Sequence, residues 1–260
     1  MQLILDKIKS PAELPRISRS RLLTELRVAL NSCTSTIING RAGTGKTMLA
    51  ADFAAGCGRR IAWYKVDASD SDRRVFFEYL VESVRAQRPK FAGEAIMRLV
   101  ESSSLEDIPL LAESFIYELL ESGSEPLLIV IDDLHLIYDA DWVVPFFRRL
   151  LPLLPAEAHV LITGRSLPPA PLWRMRSKQT LCVIDETMLA FSKEEAKELF
   201  NTYSLAGAQA SAAHKQTRGR ASALDALACV LASNESERQP PRTKRPRGLR
   251  VVQQLHGYVF

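Results

Sequence analysis

Two hydrophobic rhythms alternate along the first two hundred residues. Short runs of apolar and β-branched residues recur at 33–39, 60–66, 127–132, 159–163 and 180–184, and each reads as a strand. The run Leu127-Leu128-Ile129-Val130-Ile131 has no polar interruption, which predicts a strand covered on both faces, as in a parallel sheet. Between these runs the apolar residues fall at helical spacing. Leu22, Leu23, Leu26 and Leu30 share one face of a helix over 18–30, with Ser18 or Ser20 available to cap it. A helix follows the first strand over 46–55. Phe77, Leu80, Val81 and Val84 line the inner face of a helix over 74–87, which Pro89 closes. Leu111, Phe115, Leu119 and Leu120 give the stripe of another over 108–122, and a further helix over 142–154 stops at Pro155. The stretch 91–104 is helical by pattern but weakly specified. All strands but the last precede helices, which argues for a parallel sheet with right-handed crossovers.

The punctuation completes the plan. Pro11 and Pro15 keep residues 1–15 from forming one helix, so they read as an entry arm. Pro168, Pro169 and Pro171 predict a stiff, extended loop after the fourth strand. Ser192-Lys193-Glu194-Glu195 is a capping box that opens a helix to about 203, and two short helices follow over 207–216 and 221–232. From Ser233 the composition turns to Ser, Glu, Gln, Pro and Arg, which predicts disorder. The last ten residues regain apolar character and suggest no role.

The chemistry sits in the turns. Gly40-Arg41-Ala42-Gly43-Thr44-Gly45-Lys46-Thr47 fits G-x-x-x-x-G-K-[S/T] between a strand and a helix. The glycines let backbone N–H groups converge on one anion, and the helix start adds its positive dipole end. Lys46 brings a mobile charge for β- and γ-phosphates, and Thr47 a hydroxyl for Mg²⁺. The third strand ends in Asp132-Asp133, and ligands of open α/β sheets bind beyond the carboxyl ends of the strands. Two adjacent carboxylates repel unless a cation sits between them. Asp132 is therefore the candidate to hold Mg²⁺, directly or through water, and Asp133 to polarise an attacking water. Arg165, just past the fourth strand, faces the γ-phosphate as a charge sensor or is a plain surface charge. The helix before the first strand sits where a nucleotide base is often bordered, although its leucines suit plain packing. The expected fold is a three-layer α/β P-loop NTPase with a mainly parallel five-stranded sheet and a small helical lid. Its divisions are 1–32 (arm and helix), 33–186 (NTPase domain), 187–232 (lid) and 233–260 (basic tail).

Composition narrows this only slightly. The chain has 260 residues, 47% hydrophobic and 25% charged, ordinary for a globular protein with a real core. No apolar run approaches the ~20 residues of a membrane span, and the first residues do not form a signal peptide, so a cytoplasmic location is expected. Lys and Arg number 34 against 30 Asp and Glu, a formal +4 too mild to imply nucleic acid. The excess gathers between 238 and 250, with six basic residues and no acidic one. Cys33, Cys57, Cys182 and Cys229 are scattered and read as reduced, mostly buried thiols, with neither zinc nor a disulfide.

With these residues in hand, the chain resembles the nucleotide-binding module of the STAND signalling ATPases. Within that group it is most similar to the large LuxR-type bacterial activators related to the maltose regulator. The resemblance rests on Ile17-Ser18-Arg19-Ser20-Arg21-Leu22-Leu23, the phosphate loop, Ile61-Ala62-Trp63-Tyr64-Lys65-Val66-Asp67 and Phe77-Glu78-Tyr79-Leu80. It continues in Ile131-Asp132-Asp133-Leu134-His135-Leu136-Ile137, Leu161 to Pro169 and Leu189 to Ala196. It implies ATP and ADP as ligands with Mg²⁺, slow hydrolysis and a switch between assembled and closed states, with Arg165 as the γ-phosphate sensor. It also implies self-association or a regulatory protein partner as output, with no membrane contact. Such proteins usually continue into helical repeats and a DNA-binding helix-turn-helix, and the residues to Phe260 hold neither. The chain is thus expected to be a fragment, the product of a truncated gene or a stand-alone switch module, and not to contact DNA by itself. Two other functions remain open: a nucleic-acid-acting P-loop ATPase such as a loader or recombination helper, suggested by the basic run at 242–247, and an inactive nucleotide-binding module.

Overall fold

The structure is a computed structural model that describes residues 4–102, 104, 107–178 and 180–238. A 3-10 turn, Leu5–Ile8, leads to α1 (Ser20–Ser32) and then to β1 (Ser35–Asn39). The phosphate loop and α2 (Lys46–Gly56) follow, then β2 (Arg60–Lys65), α3 (Arg73–Arg85), α4 (Glu94–Ser102) and α5 (Ile108–Glu121). β3 (Leu127–Asp132), α6 (Val143–Leu153) and β4 (Ala158–Gly164) complete the central layer with β5 (Leu181–Ile184). The sheet order is β2-β3-β4-β1-β5, and every pairing is parallel. β1 lies between β4 and β5, so the loop that leaves it emerges from inside the sheet rather than from an edge.

Alternation along the strands builds two cores. Ile37, Tyr64, Ile129, Ile131 and Ile162 face an aromatic layer from α3 and α6, in which Phe77 meets Phe146 edge-on at 4.8 Å. Ile38, Trp63, Val130 and Leu161 face the other way, onto Leu22 and Leu26 of α1 and Leu49 and Phe53 of α2. Both faces of the sheet are covered, as the uninterrupted apolar run of β3 requires.

The third core belongs to the C-terminal helices: α9 (Lys193–Thr202), α10 (Gly207–Thr217) and α11 (Ala221–Arg238), which follow the single turns α7 (Ala170–Trp173) and α8 (Glu186–Leu189). The capping box at α9 forms, with Glu195 N–H donating to Ser192 Oγ at 3.1 Å and Ser192 N–H to Glu195 Oε2 at 2.8 Å. Ile17, from the entry arm, packs into this third core with Phe191, Leu199 and Phe200.

Several elements differ from the sequence reading. The proline-rich stretch is extended only to Pro169; Ala170–Trp173 is helical and a 3-10 turn, Arg174–Lys178, continues it. Pro171 sits in the first turn, where a helix needs no N–H from it. The last strand is followed by a helical turn after all, α8. Helix α11 runs to Arg238, past the expected end at 232, while the basic run at 242–247 and the apolar end lie outside the described residues. Of the four cysteines, Cys33, Cys57 and Cys182 are half-buried and Cys229 is exposed, so none is a core thiol.

Candidate nucleotide-binding site

The loop after β1 takes the shape its glycines permit. Gly43 and Gly45 have φ of 78° and 83°, the left-handed region that a side chain disfavours. Four of the loop carbonyls, those of Arg41, Ala42, Gly43 and Gly45, are held by donors. Arg41 C=O accepts from Thr44 Oγ1 at 2.9 Å and from Lys46 Nζ at 3.1 Å. Ala42 C=O accepts from Arg220 at 2.6 Å, Gly43 C=O from Ser222 N–H at 2.9 Å, and Gly45 C=O from Arg19 at 3.2 Å. Lys46 is buried, and burial lowers its ammonium pKa against the pull of Asp133. The Arg41 side chain is turned to Glu186, whose carboxylate takes Nε at 2.7 Å and the Arg41 amide at 3.0 Å.

The ends of β3 and β4 meet the loop. The Thr47 hydroxyl donates to Asp132 Oδ1 at 2.9 Å, and the Thr163 hydroxyl donates to the same oxygen at 2.6 Å. Asp132 is fully buried beneath Thr47, and that burial raises its pKa. Asp133 turns into the left-handed region at φ 61° and donates its N–H to Thr163 Oγ1 at 2.9 Å, so adjacent carboxylates point to different sides of the strand end. Arg165 Nε stands 3.8 Å from Asp133 Oδ1, and His135 Nδ1 stands 3.6 Å from the same atom.

A cavity of ≈ 530 Å³ opens here. One end is lined by Gly43, Gly45, Lys46, Thr47, Asp133 and Arg165. The lining also includes Leu49 and Asp52 of α2, Ile17 of the entry arm, and Phe191, Leu199 and Asp225. Of the residues the sequence singled out, Ala42, Gly43, Gly45, Lys46, Thr47, Asp133 and Arg165 line this one cavity. Asp132 supports Thr47 from behind. Gly40, Arg41 and Thr44 shape the loop from outside the lining.

Sequence reasoning missed the clamps. Arg19 is 5% exposed, donates to Leu189 C=O at 2.8 Å and to Gly45 C=O, and lies over the Phe191 ring at 5.1 Å. Burial holds its pKa at about 10. A signal for it existed: position 19 falls on the stripe of Leu22, Leu23 and Leu26, and a charge on an apolar helix face needs a reason. Arg220 and Ser222 had no such signal, because their partners are loop carbonyls, and Glu186 had none because Arg41 lies 145 residues away in sequence.

A parallel sheet with a glycine-rich phosphate loop, its threonine bonded to a carboxylate at the end of the neighbouring strand set, defines a P-loop ATPase fold. The family model described as AAA ATPase domain matches residues 17–163, and the chain belongs to that family. Among curated proteins it is similar to the HTH-type transcriptional regulator MalT of Serratia proteamaculans, 33% identical over 202 residues, which cover 76% of this chain and 22% of that protein. MalT of Klebsiella pneumoniae is 30% identical over 243 residues, covering 91% and 26%. The chain thus spans about a quarter of the length of these relatives. Among solved structures, a Walker-type ATPase of Pyrococcus abyssi matches with a TM-score of 0.50 at 13% identity, over 88% of this chain and 75% of that one. Drosophila ORC bound to DNA matches with a TM-score of 0.51 at 13% identity, over 88% and 58%. At such identity these two speak for the fold alone. No helix among the described residues is long and apolar enough to cross a membrane.

Proposed function

We propose that this chain is the Mg·ATP-binding switch module of a MalT-like transcription regulator, with slow hydrolysis to ADP that resets it in the cytoplasm. The observation that carries this reading is the bond between Thr47 and Asp132, which joins the two halves of a phosphate–metal site. The donor set is oxygen only, and among the described residues no group of three or more His, Cys, Asp or Glu gathers around a metal. That suits Mg²⁺, which takes one or two protein oxygens and fills its shell from water and phosphate. When bound, the ion neutralises charge across the β- and γ-phosphates. The loop amides from Ala42 to Thr47 cradle the phosphates, those of Gly40 and Arg41 being given to Gly164 C=O and Glu186, and Lys46 leaves Arg41 C=O to reach the β- and γ-oxygens. Thr47 and Asp132 hold the ion. Asp133 orients a water, and Arg165 offsets charge that develops on the γ-phosphate.

The divisions at 33–186 and 187–232 serve as ATPase body and lid in this reading, with the arm before 33 tied to the lid. The lid touches the loop through Arg220 and Ser222, so a change in the loop on hydrolysis reaches the helical unit directly. Self-association or a regulatory protein receives that signal, and DNA contact belongs to other parts of such a regulator.

Calorimetric titration of the chain with Mg·ATP tests the reading, with Lys46→Ala as control. Removing a buried cation from a polyphosphate is expected to weaken binding by roughly 30-fold or more. Equal affinity in parent and variant would overturn the site.

A further inference from the structure

The entry arm is fixed to two different parts of the molecule. Its first fixture is Lys7, 8% exposed, whose Nζ lies 2.6 Å from Asp70 Oδ1 and 2.9 Å from Asp67 Oδ2. The ammonium also lies over the Tyr79 ring, 4.4 Å from its centroid. Asp67 and Asp70 close the capping box of the turn Ala68–Ser71, which follows β2 in the ATPase body. Just before that turn, Val66 N–H donates to Asp132 C=O at 2.9 Å, so the fixture adjoins the end of β3. The second fixture is on the helical unit. The Arg16 guanidinium lies 4.6 Å from the centroid of the Tyr203 ring, and its Nε lies 3.7 Å from Asp225 Oδ1, to which Tyr203 also donates at 2.7 Å. Between the fixtures, residues 10–15 make no hydrogen bond or ion pair with the other described residues. Glu13, Leu14 and Pro15 nevertheless line the same cavity as Lys46 and Thr47.

We propose that residues 8–16 are a strap across the nucleotide cavity, that Lys7 is its catch, and that the catch sets how fast nucleotide enters and leaves. The inference rests on the nucleotide reading above and adds a control on that site. The nine residues after Lys7 reach about 30 Å at most, and Pro11 and Pro15 stiffen them. A short, stiff segment with no bonds of its own goes where its ends go. While Lys7 is held, residues 13–15 stand as a wall of the cavity and limit how far the helical unit parts from the end of β2. Once Lys7 is released, that wall hangs from α1 alone and swings aside. One side chain carries most of the fastening: Ile4 and Leu5 stay exposed and Ile8 is only half-buried.

The experiment follows N-methylanthraniloyl-ADP on the full chain with Mg²⁺, by stopped-flow fluorescence for entry and by chase with excess ADP for release. Lys7→Met removes the catch. It leaves Asp70 buried beside no cation, so Lys7→Met with Asp70→Asn, which removes both charges, serves if the single variant does not fold. A Gly-Gly-Ser insertion between Ser10 and Pro11 slackens the strap and leaves both fixtures in place. Each variant is expected to speed entry and release together by about tenfold, while the dissociation constant moves by less than about threefold, as for a gate and not a binding contact. Unchanged rates in folded variants would overturn the strap, even if their melting points fell, since Lys7 would then only stabilise the fold. Faster release with unchanged entry would also overturn it, because the arm would then be part of the binding wall and no gate. So would an insertion without effect beside a fast Lys7→Met. If Lys46→Ala binds the labelled nucleotide as the parent does, the nucleotide reading itself falls and the strap with it.

Discussion

The Thr47 hydroxyl donates to both oxygens of Asp132, at 2.9 Å and 3.2 Å, across 85 residues of sequence. It does so because β1 and β3 both flank β4 and end at the same side of the sheet. The contact fixes where the phosphate loop stands against the strand ends. It also keeps a carboxylate in a fully buried position, where the hydroxyls of Thr47 and Thr163 donate to it.

That carboxylate sets the first expectation. Burial raises the pKa of Asp132 in the folded state, so the group favours folding at low pH and costs stability as pH rises through its raised value. At neutral pH, Asp132→Asn removes the cost while its Oδ1 keeps the Thr163 bond. Without ligand the variant should melt higher by about 2–4 °C, and the added stabilisation by Mg·ATP should shrink. Scanning calorimetry with and without the ligand checks both; a lower melting point without ligand would contradict the account.

Arg19 gives the second. Its fork spans two carbonyls, Leu189 and Gly45, from the start of α1. Arg19→Met should lower unfolding stability by about 2–3 kcal/mol, since two carbonyls lose a charged donor. Arg19→Lys should recover part, because an ammonium reaches as a point and not as a fork. Urea midpoints report this, and an unshifted midpoint in the methionine variant would remove Arg19 as a clamp.

A third expectation concerns pH. His159, on β4, is buried, its Nδ1 3.2 Å from the Cys33 carbonyl and its Nε2 3.0 Å from Thr36 Oγ1 on β1. The carbonyl can only accept, so Nδ1 carries the proton and Nε2 accepts from the threonine. Burial pulls the folded pKa from 6.5 down to about 4. The unfolded chain therefore binds a proton first, and stability falls as pH drops from about 6.5 towards 4. The full effect is on the order of 3 kcal/mol. His159→Gln should flatten that part of the stability–pH curve; the same slope in the variant would assign it to other groups.

The fourth turns on Gly43. A Cβ there would lie 2.2 Å from Ser222 Oγ and 3.1 Å from Ser222 Cβ, on a backbone with φ +78°. Gly43→Ala should lift the start of α11 off the loop and weaken nucleotide binding. Adding Ser222→Gly removes the clash and leaves only the left-handed strain, about 1–2 kcal/mol. Protease sensitivity of residues 190–230 should rise in the single variant and fall back in the double. No difference between the two would mean that the lid does not rest on this contact.

The body of the fold was legible because its signals are local. Five apolar runs gave five strands, and the spacing of Phe77, Leu80, Val81 and Val84 gave the buried face of α3. The loop and Asp132-Asp133 were legible because both motifs follow strands. What escaped is non-local or backbone-mediated. Lys7 is buried against Asp70 at 2.6 Å and Asp67 at 2.9 Å, over the Tyr79 ring, yet nothing near Lys7 in sequence marks it. Arg220 and Ser222 read as an ordinary helix start until the loop carbonyls appear beside them. The proline stretch misled because Pro fixes φ without forbidding a helix that begins at the next residue.

The entry arm is fastened at both ends: Lys7 holds its start against Asp67 and Asp70 beyond β2, and its last residues are tied to the helical unit. Arg16 lies over the Tyr203 ring and beside Asp225, Ile17 fills the third core, and Arg21 reaches Met188 C=O and Ala190 C=O. Residues 16–21 and the C-terminal helices therefore form one jaw, and the loop with the strand ends forms the other. A molecule seated between them is gripped by segments nearly two hundred residues apart, so cutting the polypeptide before residue 20 would loosen the grip as surely as deleting the last helices.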